Sequence, residues 1–248
     1  MTYKSSVDIV LPVLNEQDVL NISVSRLLKF CSEGMISYNW KIIIADNGST
    51  DETYNIAKQI ESDSKNVNVI KLPQKGRGRA LKKAWQLDSR IKVYMDIDLS
   101  TDLKYLPIIC DHVYSQKYDI AIGSRLIKGS KVVGRTLKRE IISRGYSLIF
   151  RSLFWVPFRD AQCGFKAISS ETAENLLPLV DDNGWFFDTE LLILANKLGY
   201  KIKEVPVYWV DDPDSSVNII GTAWNDIKGL VRLKFGGINK AKKQIELN

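Results

Sequence analysis

Asp96-Ile97-Asp98 sets two carboxylates one residue apart, immediately after the apolar run Ile91 to Met95. In extended backbone, alternate side chains share a face, so both acids can address one cation. Hard carboxylate oxygens favour Mg2+ or Mn2+ over zinc, although either aspartate would serve equally as a turn or capping residue. Two more acids hold comparable places: Glu16 shortly after Val7 to Leu11, and Asp46 directly after Trp40 to Ala45. Bases crowd the sequence on either side of Asp96. Seven basic residues and one acid lie between Lys71 and Arg90, and seven basic residues with Glu140 alone between Arg125 and Arg144. Such clusters are ordinarily solvated helix faces; beside a cation site they also suit a phosphorylated ligand.

What is scarce narrows the chemistry. The chain has one histidine, His112, and no GxSxG pattern, which argues against triad hydrolysis and histidine-rich metal sites. Cys31, Cys110 and Cys163 are an odd number with no CxxC pair, so reduced thiols are expected rather than a disulfide framework or zinc site. Gly76-Arg77-Gly78 lacks the third glycine of a dinucleotide fingerprint and follows the third apolar run, and no GxxxxGK[ST] occurs. A nicotinamide dehydrogenase and a P-loop ATPase are therefore disfavoured. These glycines either let backbone approach a phosphate at a helix N-terminus or make a turn. No helix-turn-helix, finger or RNP pattern is present, and nucleic acid is not an expected partner.

The elements that must position these groups follow from hydrophobic periodicity. Strands are expected over Val7 to Leu11, ended by Pro12, then over Trp40 to Ala45, Val67 to Leu72 and Ile91 to Met95. Helices are expected between them: Gln17 to Phe30, Asp51 to Ile60 with Ser49 or Thr50 as cap, and Gly76 to about Asp88. Strands alternating with helices imply βαβ units and a mostly parallel sheet, whose ligands bind beyond the carboxyl ends of the strands. Further on come a helix from Asp102 to Tyr114, a strand from Asp119 to Arg125 and a long helix from Arg139 to Phe158. A helix from Trp185 to Leu198, one strand from Ile202 to Val210 and an amphipathic helix from Ile219 to Leu233 complete the pattern.

With 248 residues, 45% hydrophobic, 26% charged and a formal charge of +6, the chain suits one core plus an appendage. The expected division is a catalytic domain over 1–212 and a helical appendage over 213–248. No apolar run approaches the roughly 18–20 residues of a bilayer-spanning helix, and Met1 to Ser6 has no long signal-peptide core. A soluble or peripheral protein is expected.

Three ordered motifs, Val10 to Glu16, Ala45 to Asp51 and Met95 to Ser100, resemble those of the family-two inverting glycosyltransferases. Gly123-Ser124-Arg125, Leu137-Lys138-Arg139, Arg159 to Lys166 and Trp185 to Leu192 are similar to the dolichyl-phosphate glucosyltransferase branch, related to dolichyl-phosphate mannose synthases. The likeness runs in consistent order over residues 6–235. It implies the GT-A (nucleotide-diphospho-sugar transferase) fold, a Rossmann-like mixed, mostly parallel sheet flanked by helices. It also implies inverting transfer of a hexose from UDP-glucose or GDP-mannose to dolichyl or polyprenyl phosphate, on the cytoplasmic face of a membrane.

By the same resemblance, Pro12, Glu16, Asp46, Lys75 and Asp96 bind the nucleotide, and Asp96 with Asp98 holds Mg2+ or Mn2+. Arg125, Lys138 and Arg139 meet the acceptor phosphate; Asp160, Gln162 and Glu190 shape the sugar pocket. Asp98, Arg125 and Arg139 are the catalytic candidates. Three places depart from the pattern: Asn47 replaces a second acid, Ser100 replaces a glutamine common in mannose synthases, and Asp211 to Val217 lacks that branch's basic residues. A phosphate monoester is largely dianionic at neutral pH and needs no histidine to deprotonate it. The mixed apolar and basic helix over 139–158, with Ile142, Phe150, Phe154, Trp155, Arg144, Arg151 and Arg159 in or beside it, suits a membrane interface or plain packing on the sheet. Two other functions stand beside this one: a family-two transferase acting on a soluble or protein-linked glycan, and a non-enzymatic nucleotide- or RNA-binding α/β module.

Overall fold

In the computed structural model, which describes residues 4–211 and 219–246, strands and helices alternate through the N-terminal half. They are β1 (Ser5–Val13), α1 (Leu20–Gly34), β2 (Tyr38–Asp46), α2 (Thr53–Asp63), β3 (Val67–Lys71), α3 (Arg77–Ala84) and β4 (Ile91–Met95). Next come α4 (Tyr105–Tyr114), β5 (Ile120–Ser124), β6 (Lys131–Val133), α5 (Leu137–Phe154), β7 (Phe165–Ser169) and α6 (Ser170–Leu176). The chain continues with α7 (Phe187–Lys197), β8 (Ile202–Pro206), β9 (Tyr208–Val210), α8 (Ile219–Arg232) and α9 (Ile238–Glu246).

Seven strands form one sheet in the order β3-β2-β1-β4-β7-β5-β8. Every pairing is parallel except those of β7, which lies antiparallel between β4 and β5. The expected mixed, mostly parallel sheet is therefore present. Its strands are buried on both faces, and successive residues divide between two cores. Ile9 and Leu11 pack with Leu20, Val24, Leu27, Leu106 and Ile109 on one side. Val10 packs on the other with Leu81, Trp85, Phe150, Phe154, Leu191 and Leu230.

Several boundaries differ from expectation. Pro12 lies inside β1 rather than ending it, paired opposite Ala45. Pairing with β4 stops at Val10, and the Val13 carbonyl accepts from Asn47 N on the β2 side. Backbone groups alternate in direction, so the Pro12 nitrogen faces the unpaired edge, where its missing N–H costs nothing. Ser49 and Thr50 do not cap α2, which has no side-chain cap; both are tied to Asn15. The long helix ends at Phe154 because Trp155 adopts a left-handed conformation (φ 53°). The expected strand over Ile202 to Val210 is two: β8 joins the large sheet and β9 pairs with β6 in a small one. The expected domain boundary, and the Asp212 to Val217 part of the departing loop, lie outside the described residues, as do the side chains of Ile219, Ile220 and Ala223.

Candidate active site

The carboxyl ends of β1, β2, β4 and β5 and the amino end of antiparallel β7 open on one edge of the sheet, where an α/β fold presents its ligands. At the β1–β2 end two loops are stitched together. Asn15, at φ 55°, donates its backbone N–H to Ser49 Oγ at 3.0 Å and accepts from Thr50 N at 2.9 Å. Glu16 N donates to Thr53 Oγ1 at 2.7 Å. Beneath them Asp46 is fully buried; its Oδ1 accepts from Ser49 N at 3.2 Å, while Oδ2 has no partner. A buried carboxylate oxygen without a donor is an exception that calls for a ligand or water, and an N–H of a nucleobase fits it. Pro12 and Glu16 are half-buried at this mouth, and Lys75 is exposed beyond it.

At the end of β4 the backbone turns, with Leu99 N donating to Asp96 O and Leu99 at φ 51°. The two aspartates are therefore brought together by a turn and not by the pleat. Asp98 is exposed, its Oδ1 held by Ser100 N at 3.0 Å. Asp96 sits against Gly164 so closely that a Cβ there would overlap its carboxylate. Burial raises the Asp96 pKa; Asp98 and Asp188 raise it further, while Arg77 opposes them.

The base facing Asp96 is Arg77, which the sequence placed in the basic segment from Lys71 to Arg90 without singling it out. Its Nη2 lies 2.7 Å from Asp96 Oδ1 and its Nε 3.8 Å from Asp188 Oδ2. The guanidinium stacks over Trp185 at 4.8 Å and Tyr94 at 5.2 Å. Burial works against its charge, but Asp96 first, then Tyr94 and Asp188, hold it firmly protonated. Behind it, Lys166 Nζ lies 2.8 Å from Asp188 Oδ1 and donates to Tyr94 Oη at 2.9 Å and Cys163 O at 2.6 Å. Tyr94 in turn donates to Asp188. An arginine between glycines at a helix start was the available signal.

The basic end is built on β5 and α5. Arg125 makes a bidentate pair with Asp160, Nε to Oδ2 at 2.8 Å and Nη2 to Oδ1 at 2.9 Å, and its backbone N–H donates to Oδ2. Burial tends to raise the Asp160 pKa, but Arg125 overrides it and holds the carboxyl below its ordinary range. Arg139 reaches Asp211 at 3.1 Å, and Trp209 Nε1 donates to the same carboxylate. Lys138 is exposed on the first turn of α5, capped by Thr136. Arg135, which the sequence did not single out, has a side chain only 8% exposed. It donates to Ser143 Oγ at 2.7 Å, but its Nε and Nη1 lack hydrogen-bond partners. Burial, and then the charge of nearby Arg125, lower its pKa. Two largely buried guanidiniums near enough to depress the pKa of one, which is incompletely satisfied, are an arrangement that can receive an anion.

Of the expected sugar-pocket residues, Asp160 holds Arg125, and Gln162 donates to Asp226 Oδ2 at 2.6 Å. Glu190 binds Arg232 at 2.9 Å and the Asp182 amide at 2.8 Å, which ties α8 to α7. His112 is remote from this edge, edge-on to Tyr118 on α4. All three cysteines are free and buried. Among the described residues, no group of three or more His, Cys, Asp or Glu side chains converges on one point.

The family description Glycosyl transferase family 2 matches residues 8–177, more than half of the chain and all of the strand ends carrying Glu16, Asp46, Asp96 and Arg125. The chain belongs to glycosyl transferase family 2. Among its relatives, Glycosyltransferase AglD of Haloferax volcanii is 34% identical over 226 residues, covering 90% of this chain and 35% of that protein. Dolichyl-phosphate beta-glucosyltransferase of Dictyostelium discoideum is 32% identical over 240 residues, covering 92% of this chain and 73% of that protein. The Saccharomyces cerevisiae protein of the same description is 27% identical over 222 residues, covering 81% and 66%. The chain thus spans about a third of the first relative's length and about two thirds to three quarters of the other two. Glucosyl-3-phosphoglycerate synthase from Mycobacterium tuberculosis, solved in complex with Mn2+, UDP and glucosyl-3-phosphoglycerate, superposes with a TM-score of 0.68. It is 19% identical and covers 94% of this chain and 80% of that one. The glycosyltransferase described here shares that GT-A fold.

Proposed function

We propose that this glycosyltransferase moves glucose from UDP-glucose to dolichyl or another polyprenyl phosphate, inverting the anomeric centre. The observation that carries the reading is the Arg125–Arg135 pair, two buried guanidiniums beside an acid edge, at the start of a helix with an exposed apolar face. A phosphate with a long apolar tail matches both features. The relatives described as dolichyl-phosphate beta-glucosyltransferases support the same acceptor and sugar.

In the mechanism, Asp46 accepts a base N–H with its unpartnered oxygen, and Pro12 and Glu16 line the nucleoside mouth. Asp96 and Asp98 would hold a divalent ion. The fit is in the donor set: carboxylate oxygens of the kind Mg2+ or Mn2+ prefers, with Asp98 exposed and Asp96 kept in place by the Gly164 cradle. Such an ion neutralises charge on the departing diphosphate. Arg77, anchored by Asp188, sits where it can take up a donor phosphate. Arg125, fixed by three hydrogen bonds to Asp160, orients the acceptor phosphate with Arg135 and Arg139. A phosphate oxygen then attacks the anomeric carbon opposite the leaving group. The acceptor is already dianionic at neutral pH, so no side chain has to remove a proton, consistent with the placement of His112 away from this edge.

A donor and acceptor screen tests this. UDP-glucose with dolichyl phosphate should give a β-linked lipid product, and Asp98→Ala should lower turnover about 100-fold or more, as loss of a transition-state charge stabiliser does. Turnover with a soluble glycan and none with the lipid phosphate would reassign the acceptor; an α-linked product would overturn the inversion.

A further inference from the structure

We infer that Asp226, on helix α8, is a specificity-determining residue that accepts a hydroxyl hydrogen bond from the donor hexose. This deepens the reading just given and rests on it. Asp226 is 2% exposed and occupies the inward stripe of α8 with Leu230, continued just past the helix by Leu233, a position where an aliphatic side chain would otherwise pack. Among the described residues its Oδ2 accepts one hydrogen bond, from Gln162 Nε2 at 2.6 Å, and its Oδ1 finds no donor.

Two independent paths place this carboxylate at the site. Gln162 stands in the loop between Asp160, which grips Arg125, and Gly164, which cradles Asp96. From the other side, Asp226 feels the charges of Asp182 and Asp188, and Asp188 lies 3.8 Å from Arg77 Nε. Burial first, then these two acids, push its carboxyl up to about 7. A buried acid surrounded by acids, given one amide donor and no cation, is satisfied by a ligand that brings neutral O–H donors. A hexose does so; a diphosphate does not. The helix is held rigidly for the task. Gly229 lets the α8 backbone lie on the Phe186 ring, which a Cβ would overlap, and Arg232 is clamped by Glu190 and Asp181.

The test compares binding of UDP, UDP-glucose and UDP-galactose by calorimetry in the presence of Mn2+, which requires no acceptor. Asp226→Asn keeps the volume and one carbonyl for Gln162, but replaces the second acceptor with a donor; Asp226→Ser is the second variant, and thermal melting establishes that each is folded. UDP affinity should stay within about twofold in both variants. UDP-glucose affinity should fall about tenfold, equivalent to about 1.4 kcal/mol, and the preference for glucose over galactose should shrink. If both folded variants bind UDP-glucose as the parent does, the assignment of Asp226 is wrong while the proposed function stands. If the parent itself binds UDP-glucose no better than UDP and glucosylates no lipid phosphate, the function and the inference fall together.

Discussion

Arg77 lies 2.7 and 3.8 Å from two carboxylates, whereas Arg135 makes one ion pair, with Glu140 at 3.3 Å, and feels Asp211 and Asp160 from farther off beside a second arginine. That difference sets what each can do with a phosphate. Both guanidiniums keep N–H groups without hydrogen-bond partners, but Arg135 has the weaker ion pairing, so Arg135→Gln should raise the acceptor KM by roughly 10- to 100-fold, as loss of about 1.5–3 kcal/mol of charged hydrogen bonding implies. Arg135→Lys should recover little of it, since a point charge cannot reproduce the fork, and the donor KM should not move. Initial-rate kinetics with each substrate varied in turn would show it. Arg77, by contrast, is the counter-ion of Asp96. Breaking a buried pair costs roughly 3–5 kcal/mol at the upper end, so Arg77→Gln should lower the melting temperature. Added Mn2+ should recover more of that stability in the variant than in the parent, because Asp96 is then free to bind it. An equal Mn2+-induced shift in both proteins would show that Arg77 does not compete for that carboxylate.

At the scale of elements, much was legible because strand ends are local features. The apolar runs closing in Asp46 and in Asp96-Ile97-Asp98 announce both a strand and the acid beyond it, and β2 and β4 end as those runs suggest. β7 was not legible. Phe165–Ser169 runs directly into α6, with Ser169 as its cap, and its place between β4 and β5 depends on distant partners. The alternation from Ile202 to Val210 hides a change of sheet at Val207 for the same reason. The Tyr94–Asp188–Lys166–Arg77 group and the Gln162–Asp226 pair likewise join elements far apart in sequence. Asp226 shows what such a pairing does to stability. Its carboxyl, ordinarily at 3.8, stands at about 7 in the fold, so the folded protein binds the proton more tightly than the unfolded chain. Its contribution to stability must then decline as pH rises from about 4 to about 7 and stay level above. The groups facing it, Gln162, Asp182, Asp188 and the Tyr146 phenol, contribute no cation that would reverse this sign. Asp226→Asn should therefore melt at a higher temperature than the parent at pH 8 and at nearly the same temperature at pH 4.

Across the whole molecule, the acid edge, the basic end of α5 and an apolar stripe form one continuous path. Leu137, Ile141, Leu148 and Trp155 follow one side of α5 at helical spacing and are 76, 63, 65 and 86% exposed. Lys138 and Arg144 flank them, while Phe150 and Phe154 are buried in the core. Lys234 donates to the Leu153 carbonyl at 2.9 Å, which brings the exposed Phe235 to the Trp155 end of the helix. No helix among the described residues is long and apolar enough to cross a membrane. We propose instead that this stripe lies in the headgroup layer of an anionic bilayer, so that a lipid phosphate reaches Arg125 and Arg135 without leaving it. Vesicle flotation tests the placement. The unmodified chain should float with vesicles containing phosphatidylserine, and less so as salt rises, because part of the attraction comes from lysine and arginine. The triple variant Ile141→Ser, Leu148→Ser, Trp155→Ser should bind roughly 100-fold more weakly, since each side chain contributes about 1 kcal/mol or more on partial burial. Its melting temperature and UDP affinity should match the parent, because none of the three packs in the core or touches the acid edge. If the variant floats as well as the parent, α5 is not the face that meets the bilayer, and the acceptor tail must approach from elsewhere.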